Sequence, residues 1–262
     1  MLSELLLNRA TAQKLHGVIS HQDGINEEGA VWLERFVTWE ERYRSQRSLD
    51  GRLHRARIGR FKSMNEFDWK WPSLCDRAVI EQWMQLDFME GANNLILCGP
   101  NGVGKTMVVQ NIASQVVLRG GTALFITAAA MLNELAELDS DSALRRRIKY
   151  YTQPSLLVVD EVGYLSYSNR HADLLFEVVS QRYEKKSTCI TTNKPIPEWR
   201  DIFPNATCVV SIVDRLLHHS EIINIEGESY RLKEAQEKNQ QRQQTRRKSN
   251  DKTQAPTQEN PL

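Results

Sequence analysis

The stretch from Leu95 to Thr106, LILCGPNGVGKT, constrains this chain more than any other. Leu95-Ile96-Leu97-Cys98 reads as a buried strand, and Gly99-Pro100-Asn101-Gly102-Val103-Gly104-Lys105-Thr106 then fits G-x-x-x-x-G-K-[ST] without a gap. A helical run from Met107 to Ala113 follows. Strand, loop and helix in that order build a phosphate cradle. Glycines let successive backbone N–H groups turn inward, and the helix offers its free N–H groups and positive dipole end to the same anion. In such a cradle Gly99 through Met107 form the nucleotide-binding segment, Lys105 reaches the β- and γ-phosphates, and Thr106 places its hydroxyl on Mg²⁺.

A chain of 262 residues, 40% apolar, holds a full core, and its formal charge of +1 carries no global signal for a polyanion partner. Any nucleic-acid surface is therefore local. Cys75, Cys98, Cys189 and Cys208 are scattered without a C-x-x-C pair and read as small apolar residues. No apolar run approaches membrane-spanning length. The N-terminal MLSELLLNRATAQKL is interrupted by Glu4 and lacks a small-residue cleavage site, so a helix is expected there and not a signal peptide. A soluble, cytoplasmic protein without a membrane partner is the expectation.

Residues 1–60 read as a helical, basic domain. Leu2, Leu5, Leu6, Ala10, Leu15 and Val18 outline one amphipathic helix, broken between His21 and Gly29. A second helix from Glu28 turns basic after Trp39. Arg42, Arg44, Arg47, Arg52, Arg55 and Arg57 crowd a stretch with few acids, which suits either a solvated helix face or a phosphate-contacting surface.

Residues 61–233 read as the nucleotide-binding domain. It opens on an aromatic connector, Phe67 to Pro72, followed by a helix capped by Ser73. Beyond the phosphate loop, strands are predicted at 122–127, 155–159, 188–192 and 222–225. Helices at 128–138, 142–151, 170–184 and 209–217 alternate with them, which implies an α/β fold with a parallel sheet flanked by helices. Residues 234–262 are polar with almost no apolar side chain, and a disordered tail is expected.

Open parallel sheets bind ligands beyond the carboxyl ends of their strands, where the phosphate loop, Asp160-Glu161 and Asn193 all fall. Asp160, after four apolar residues, suits the acid that holds Mg²⁺ together with Thr106. Glu161 beside it can orient or deprotonate the attacking water, and Asn193 can position the same water. Arg215 and Arg231 are the late arginines available to offset charge on the γ-phosphate; taken alone, each reads as an ordinary surface arginine.

The blocks GPNGVGKT, LLVVDEVGYL, TTNKP, IVDRLLHHS and IEGESYRLK, with FDW and PIPEWRDIF, resemble the IstB-type transposition helper proteins. These are AAA+ ATPases encoded beside a transposase in bacterial insertion sequences. The resemblance implies an AAA+ core near those of DnaC-type helicase loaders and DnaA-type initiators. It further implies ATP-dependent self-assembly on double-stranded DNA and recruitment of the transposase encoded by the same element. Lys105 and Thr106 then carry the Walker A motif, Asp160 and Glu161 the Walker B motif, and Asn193 the first sensor. Arg215 resembles the finger that reaches a neighbouring subunit's ATP, and Arg231 the second sensor. The two helices before the Asp160 strand resemble an element that lines a DNA path, making Arg145, Arg146, Arg147 and Lys149 candidate phosphate contacts. A DnaC-like replicative helicase loader is the alternative function. A small-molecule kinase suits the sequence less, because nothing in it marks an acceptor pocket.

Overall fold

The computed structural model describes residues 2–164, 167–203 and 207–253, with backbone alone for 244–253. The chain divides into two compact units, Met1–Ala56 and Arg57–Leu262. The division falls slightly before residue 60, at the end of one long helix.

The first unit holds α1 (Glu4–Ala12), α2 (His16–Ser20) and α3 (Glu27–Ala56). One helix is predicted before His21, and two form. Lys14 adopts a left-handed φ of 60° just past the α1 C-cap, which ends the first helix there. Leu2, Leu6 and Ala10 cluster with Leu33 and Val37 of α3. Each leucine so buried contributes roughly 1.5–3 kcal/mol. Arg9 pins the same two helices, donating to Glu41 at 2.7 Å and to Thr38 at 2.8 Å. The spacing that turns Leu33 and Val37 inward leaves Trp32, Phe36, Trp39 and Tyr43 exposed along one stripe of α3.

In the second unit the chain runs α4 (Arg77–Trp83), β1 (Asn94–Cys98), α5 (Lys105–Leu118), β2 (Ala123–Thr127), α6 (Ala128–Ala136), α7 (Asp141–Thr152) and β3 (Leu156–Val162). It continues through α8 (Asn169–Arg182), β4 (Ser187–Thr192), α9 (Trp199–Ile202), α10 (Val209–His218), β5 (Ser220–Asn224) and α11 (Tyr230–Thr253). The described strands form one sheet in the order β2-β3-β4-β1-β5, with every pairing parallel. Strand alternation sorts its two faces. Ile96, Leu124, Ile126, Leu157, Val159 and Ile190 join the core shared with α6 to α10. The intervening Leu95, Leu97, Val158 and Cys189 are equally buried and project to the other side, where α5 lies against β2, β3 and β4. Parallel neighbours buried on both faces account for the near-continuous apolar runs in the sequence.

Two predicted boundaries are corrected. Ser73 does not cap α4. Leu74 instead exchanges backbone hydrogen bonds with Glu226, holding the chain extended, and Asp76 caps the helix by accepting from the Val79 N–H at 3.1 Å. The polar tail expected to be disordered from residue 234 is helical to Thr253; residues 254–262 lie outside the described residues. Its Gln, Glu, Lys and Arg residues are good helix formers, and the helix is already nucleated by the packed turn at Tyr230.

Arg182, only 1% exposed, staples the far end of the sheet. Its guanidinium donates to the carbonyls of Tyr151, Thr152 and Pro154 and of Ser155 and Ser187, and its Nε to Thr188 Oγ1. The loop after α7, β3 and β4 thus share one buried cation, whose pKa burial pushes downward.

Candidate functional site

The chain leaves β1 toward α5 on one face, while β4 connects onward along the opposite face to reach β5. The crevice beyond the carboxyl ends of β1 and β4 is therefore a topological switch point. The phosphate loop fills it. Gly102 and Gly104 take left-handed φ values of 82° and 104°, which glycine adopts without strain. A Cβ at Gly102 would strike Ser229 Oγ, and one at Gly104 would lie 2.5 Å from the Phe67 ring. Both glycines are needed for space as well as for conformation.

Residues remote in sequence close over the loop. Because β5 pairs with β1, the chain after it passes the loop, and the Tyr230 N–H donates to the Gly102 carbonyl at 3.0 Å. The aromatic connector packs beside it, with Trp71 Nε1 donating to the Glu228 carbonyl at 2.9 Å and Lys233 paired to Asp68 at 3.1 Å. Between these walls lies a cavity of about 340 Å³. Its lining includes Gly102 to Met107 together with Phe67, Trp71, Tyr164, Tyr230 and Arg231. Arg231 thus faces the same space as Lys105 and Thr106.

Lys105 is 5% exposed, and its ammonium donates to the carbonyls of Gly99 and Pro100 at 2.7 and 2.8 Å. Burial lowers its pKa, opposed by the charge of Asp160. Thr106 Oγ1 donates to Asp160 Oδ2 at 3.1 Å. The loop and the β3 acid therefore meet directly, and their hard oxygen donors suit Mg²⁺. Asp160 and Thr191 belong to adjacent strands and project to the α5 face, and the Thr191 hydroxyl donates to Asp160 Oδ1.

The apolar run predicts that β3 ends near Val159. It continues to Val162 with a register shift between Val159 and Val162, and Glu161 within the shift has a left-handed φ of 64°. A non-glycine residue in that region stores strain, and the Glu161 carboxylate is close enough for its charge to act on Lys105 of the phosphate loop. Asn193, one residue past β4, has a buried Oδ1 with no hydrogen-bond partner among the described residues.

The remaining candidates lie elsewhere. Arg215 is on α10, where it donates to Ser180 Oγ of α8 and stacks 4.5 Å from the centre of the Phe176 ring. It does not line the cavity. On α7, Arg145, Arg146 and Lys149 are exposed, whereas Arg147 is engaged by Glu134 and lies over Tyr150. On α3, Arg42, Arg47 and Arg55 are exposed, Arg44 pairs with Glu40 at 2.5 Å, and Arg52 donates to Ser48 at 2.6 Å. Arg57 lies over Tyr150 at 5.6 Å.

The family model for IstB-like ATP binding protein matches residues 8–238. The chain belongs to the IstB-like family. One relative, named as an ATP-binding protein of insertion sequence IS21 of Pseudomonas aeruginosa, is 37% identical over 191 residues, 73% of this chain and 72% of the relative. Another, from insertion sequence IS5376 of Geobacillus stearothermophilus, is 33% identical over 203 residues, 78% of this chain and 81% of the relative. Among solved structures, DnaI aligns with a TM-score of 0.53 and 20% identity, covering 66% of this chain and 91% of its own. A replication initiator DnaA solved with AMPPCP and single-stranded DNA aligns at 0.50 and 19% identity, covering 67% and 56%. The fold of this IstB-like chain is thus shared with DnaI and DnaA, and the family is one of ATP-binding proteins of insertion sequences.

Sequence reasoning did not assign Thr191, Ser229, Phe67 or Tyr164 to the site. Thr191 is the first residue of the block TTNKP, but only the register of β4 against β3 reveals what its hydroxyl touches.

Proposed function

We propose that this protein is an ATP-dependent assembly factor of a bacterial insertion sequence, acting in the cytoplasm. It binds Mg²⁺–ATP, oligomerises on double-stranded DNA with ATP at subunit interfaces, and recruits the transposase of its element. The observation that carries the reading is the meeting of Thr106 and Asp160, with the buried Asn193 Oδ1 left without a partner among the described residues just past the neighbouring strand. That arrangement suits hydrolysis by water, with protein assembly as its consequence.

In this reading the loop amides and Lys105 hold the β- and γ-phosphates, and Lys105 exchanges the carbonyls of Gly99 and Pro100 for phosphate oxygens. Thr106 and Asp160 would hold the metal, which offsets charge developing on the transferring phosphoryl group. Glu161 accepts the proton of the attacking water while Asn193 orients it. Arg231 contacts phosphates of its own subunit, and Arg215 serves those of a neighbour. Its place on α10, outside the chain's own cavity, supports a role in trans. Exposed Arg145, Arg146 and Lys149 and the α3 arginines supply the phosphate-backbone contacts.

Electron microscopy of the purified protein with duplex DNA, in ATP, in ADP and without nucleotide, tests the proposal. Rings or filaments on duplex that require ATP are expected. Equal coating of DNA in all three conditions would overturn it.

A further inference from the structure

Among the described residues the side chain of Thr191 has two polar contacts, and together they leave its hydroxyl proton one place to go. The Glu161 N–H donates to Thr191 Oγ1 at 2.9 Å, so that oxygen is already an acceptor. The same hydroxyl donates to Asp160 Oδ1. Thr191 is 1% exposed and Asp160 3% exposed, so water does not compete freely for either bond. An amide, a hydroxyl and a carboxylate therefore form a directed chain, in which each bond polarises the next.

The backbone explains why a side chain is needed. The ladder between β3 and β4 is regular as far as Val159 and Ile190, then shifts before Val162 meets Thr192. Within that shift the Glu161 N–H donates to the Thr191 hydroxyl, and the residue sits at φ 64°. A buried amide left without an acceptor is costly, and a left-handed glutamate persists only where its surroundings hold it. Thr191 does both: it satisfies the amide of one acid and fixes the carboxylate of the other.

We infer that Thr191 is a positioning residue for the acidic pair, holding Asp160 in the rotamer that faces Thr106 and Glu161 in the bulge that aims it at the phosphate loop. This rests on the reading of Asp160 and Glu161 as the metal-holding acid and the base. Thr106 is the second donor to Asp160, at 3.1 Å, and its hydroxyl is also the group offered to the metal. When Thr106 turns to that task, Thr191 is the hydroxyl that stays with Asp160. β-branching confines its χ1, so the fixed donor costs little further entropy.

The test compares wild type with Thr191→Val, Thr191→Ser and Asp160→Ala. Thermal melting confirms folding, a fluorescent ATP analogue gives affinity with and without Mg²⁺, and ATP turnover is measured separately. Valine keeps the shape and removes both hydrogen bonds, whereas serine keeps the hydroxyl. Thr191→Val is expected to leave Mg²⁺-free affinity within about twofold, to raise the Mg²⁺ concentration for half-maximal tightening several-fold, and to lower turnover about tenfold or more, as expected when a preorganising hydrogen bond is lost. Thr191→Ser is expected to restore both within about threefold. If Asp160→Ala abolishes the Mg²⁺ effect but Thr191→Val does not weaken it, or if serine is as damaging as valine, the positioning role fails alone. If Asp160→Ala itself leaves Mg²⁺ dependence and turnover intact, the reading of the acidic pair fails and the inference falls with it.

Discussion

Thr106 donates to Asp160 at 3.1 Å across 54 positions of sequence, joining the phosphate loop to the third strand without any intermediary. Lys105 is similarly occupied by the carbonyls of its own loop. Lys105, Thr106 and Asp160 thus have their polar groups satisfied from within the chain, and on the proposed reading an arriving phosphate and metal would exchange those bonds for others. Internal satisfaction explains how a buried lysine and a buried aspartate coexist in a folded chain.

Lys105 leads to a prediction about protons. Burial lowers its pKa below the ordinary 10.5, and an arriving triphosphate would raise it again. ATP binding in the alkaline range below 10.5 is therefore expected to take up protons, seen in calorimetry as a dependence of the heat on buffer ionisation enthalpy. For the free protein, the unfolded chain binds more protons than the folded one between the two pKa values, so this group makes stability rise with pH there. Lys105→Met should remove the proton uptake and weaken ATP binding on the order of 30-fold or more, the scale of a charge-assisted bond.

The buried Oδ1 of Asn193 has no hydrogen-bond partner among the described residues. Asn193→Ala should consequently change stability by less than about 1 kcal/mol while lowering ATP turnover about tenfold or more. Denaturant unfolding beside a phosphate-release assay separates the two. A variant that turns over normally would remove Asn193 from the reacting water.

Arg215 is held by Ser180 and Phe176, away from the cavity of its own chain. Arg215→Ala is expected to leave ATP affinity at low protein concentration within about twofold and to abolish ATP-dependent assembly, with a turnover loss on the order of 10³ if the residue meets phosphate in trans. Light scattering on duplex DNA reads the assembly. Arg215→Ala protein that assembles normally would exclude the trans contact.

Arg182 has a purely structural prediction. Its guanidinium serves carbonyls at the loop after α7, β3 and β4 and is 1% exposed. Arg182→Met should cost about 3 kcal/mol or more, since several buried carbonyls lose their donor together. Equilibrium denaturation measures it, and nucleotide affinity of the folded fraction should not move, because the residue lies at the strand ends opposite the phosphate loop.

Legibility in the sequence follows the range of the forces involved. The phosphate loop was readable because its geometry is local: glycines at fixed spacing, a strand before and a helix after. The alternation of strands and helices was readable for the same reason. The capping of α4 was misread because the bridge of Leu74 to Glu226 competes for the same backbone, and Glu226 is remote in sequence. The helical course of 234–253 is not legible from apolar content, because helix propensity and a packed first turn suffice to start a helix.

The amino-acid order by itself determined that a phosphate cradle exists, which residues form it, and that a parallel sheet supports it, because each of these is set by neighbours within a few positions. Tertiary structure alone decided that Ser229 and Phe67 close over the loop glycines, that Thr191 joins the two acids, and that Arg215 points away from its own cavity. Those relations depend on which strands lie side by side and in what register, and strand order is settled by burying the whole sheet between its two layers of helices.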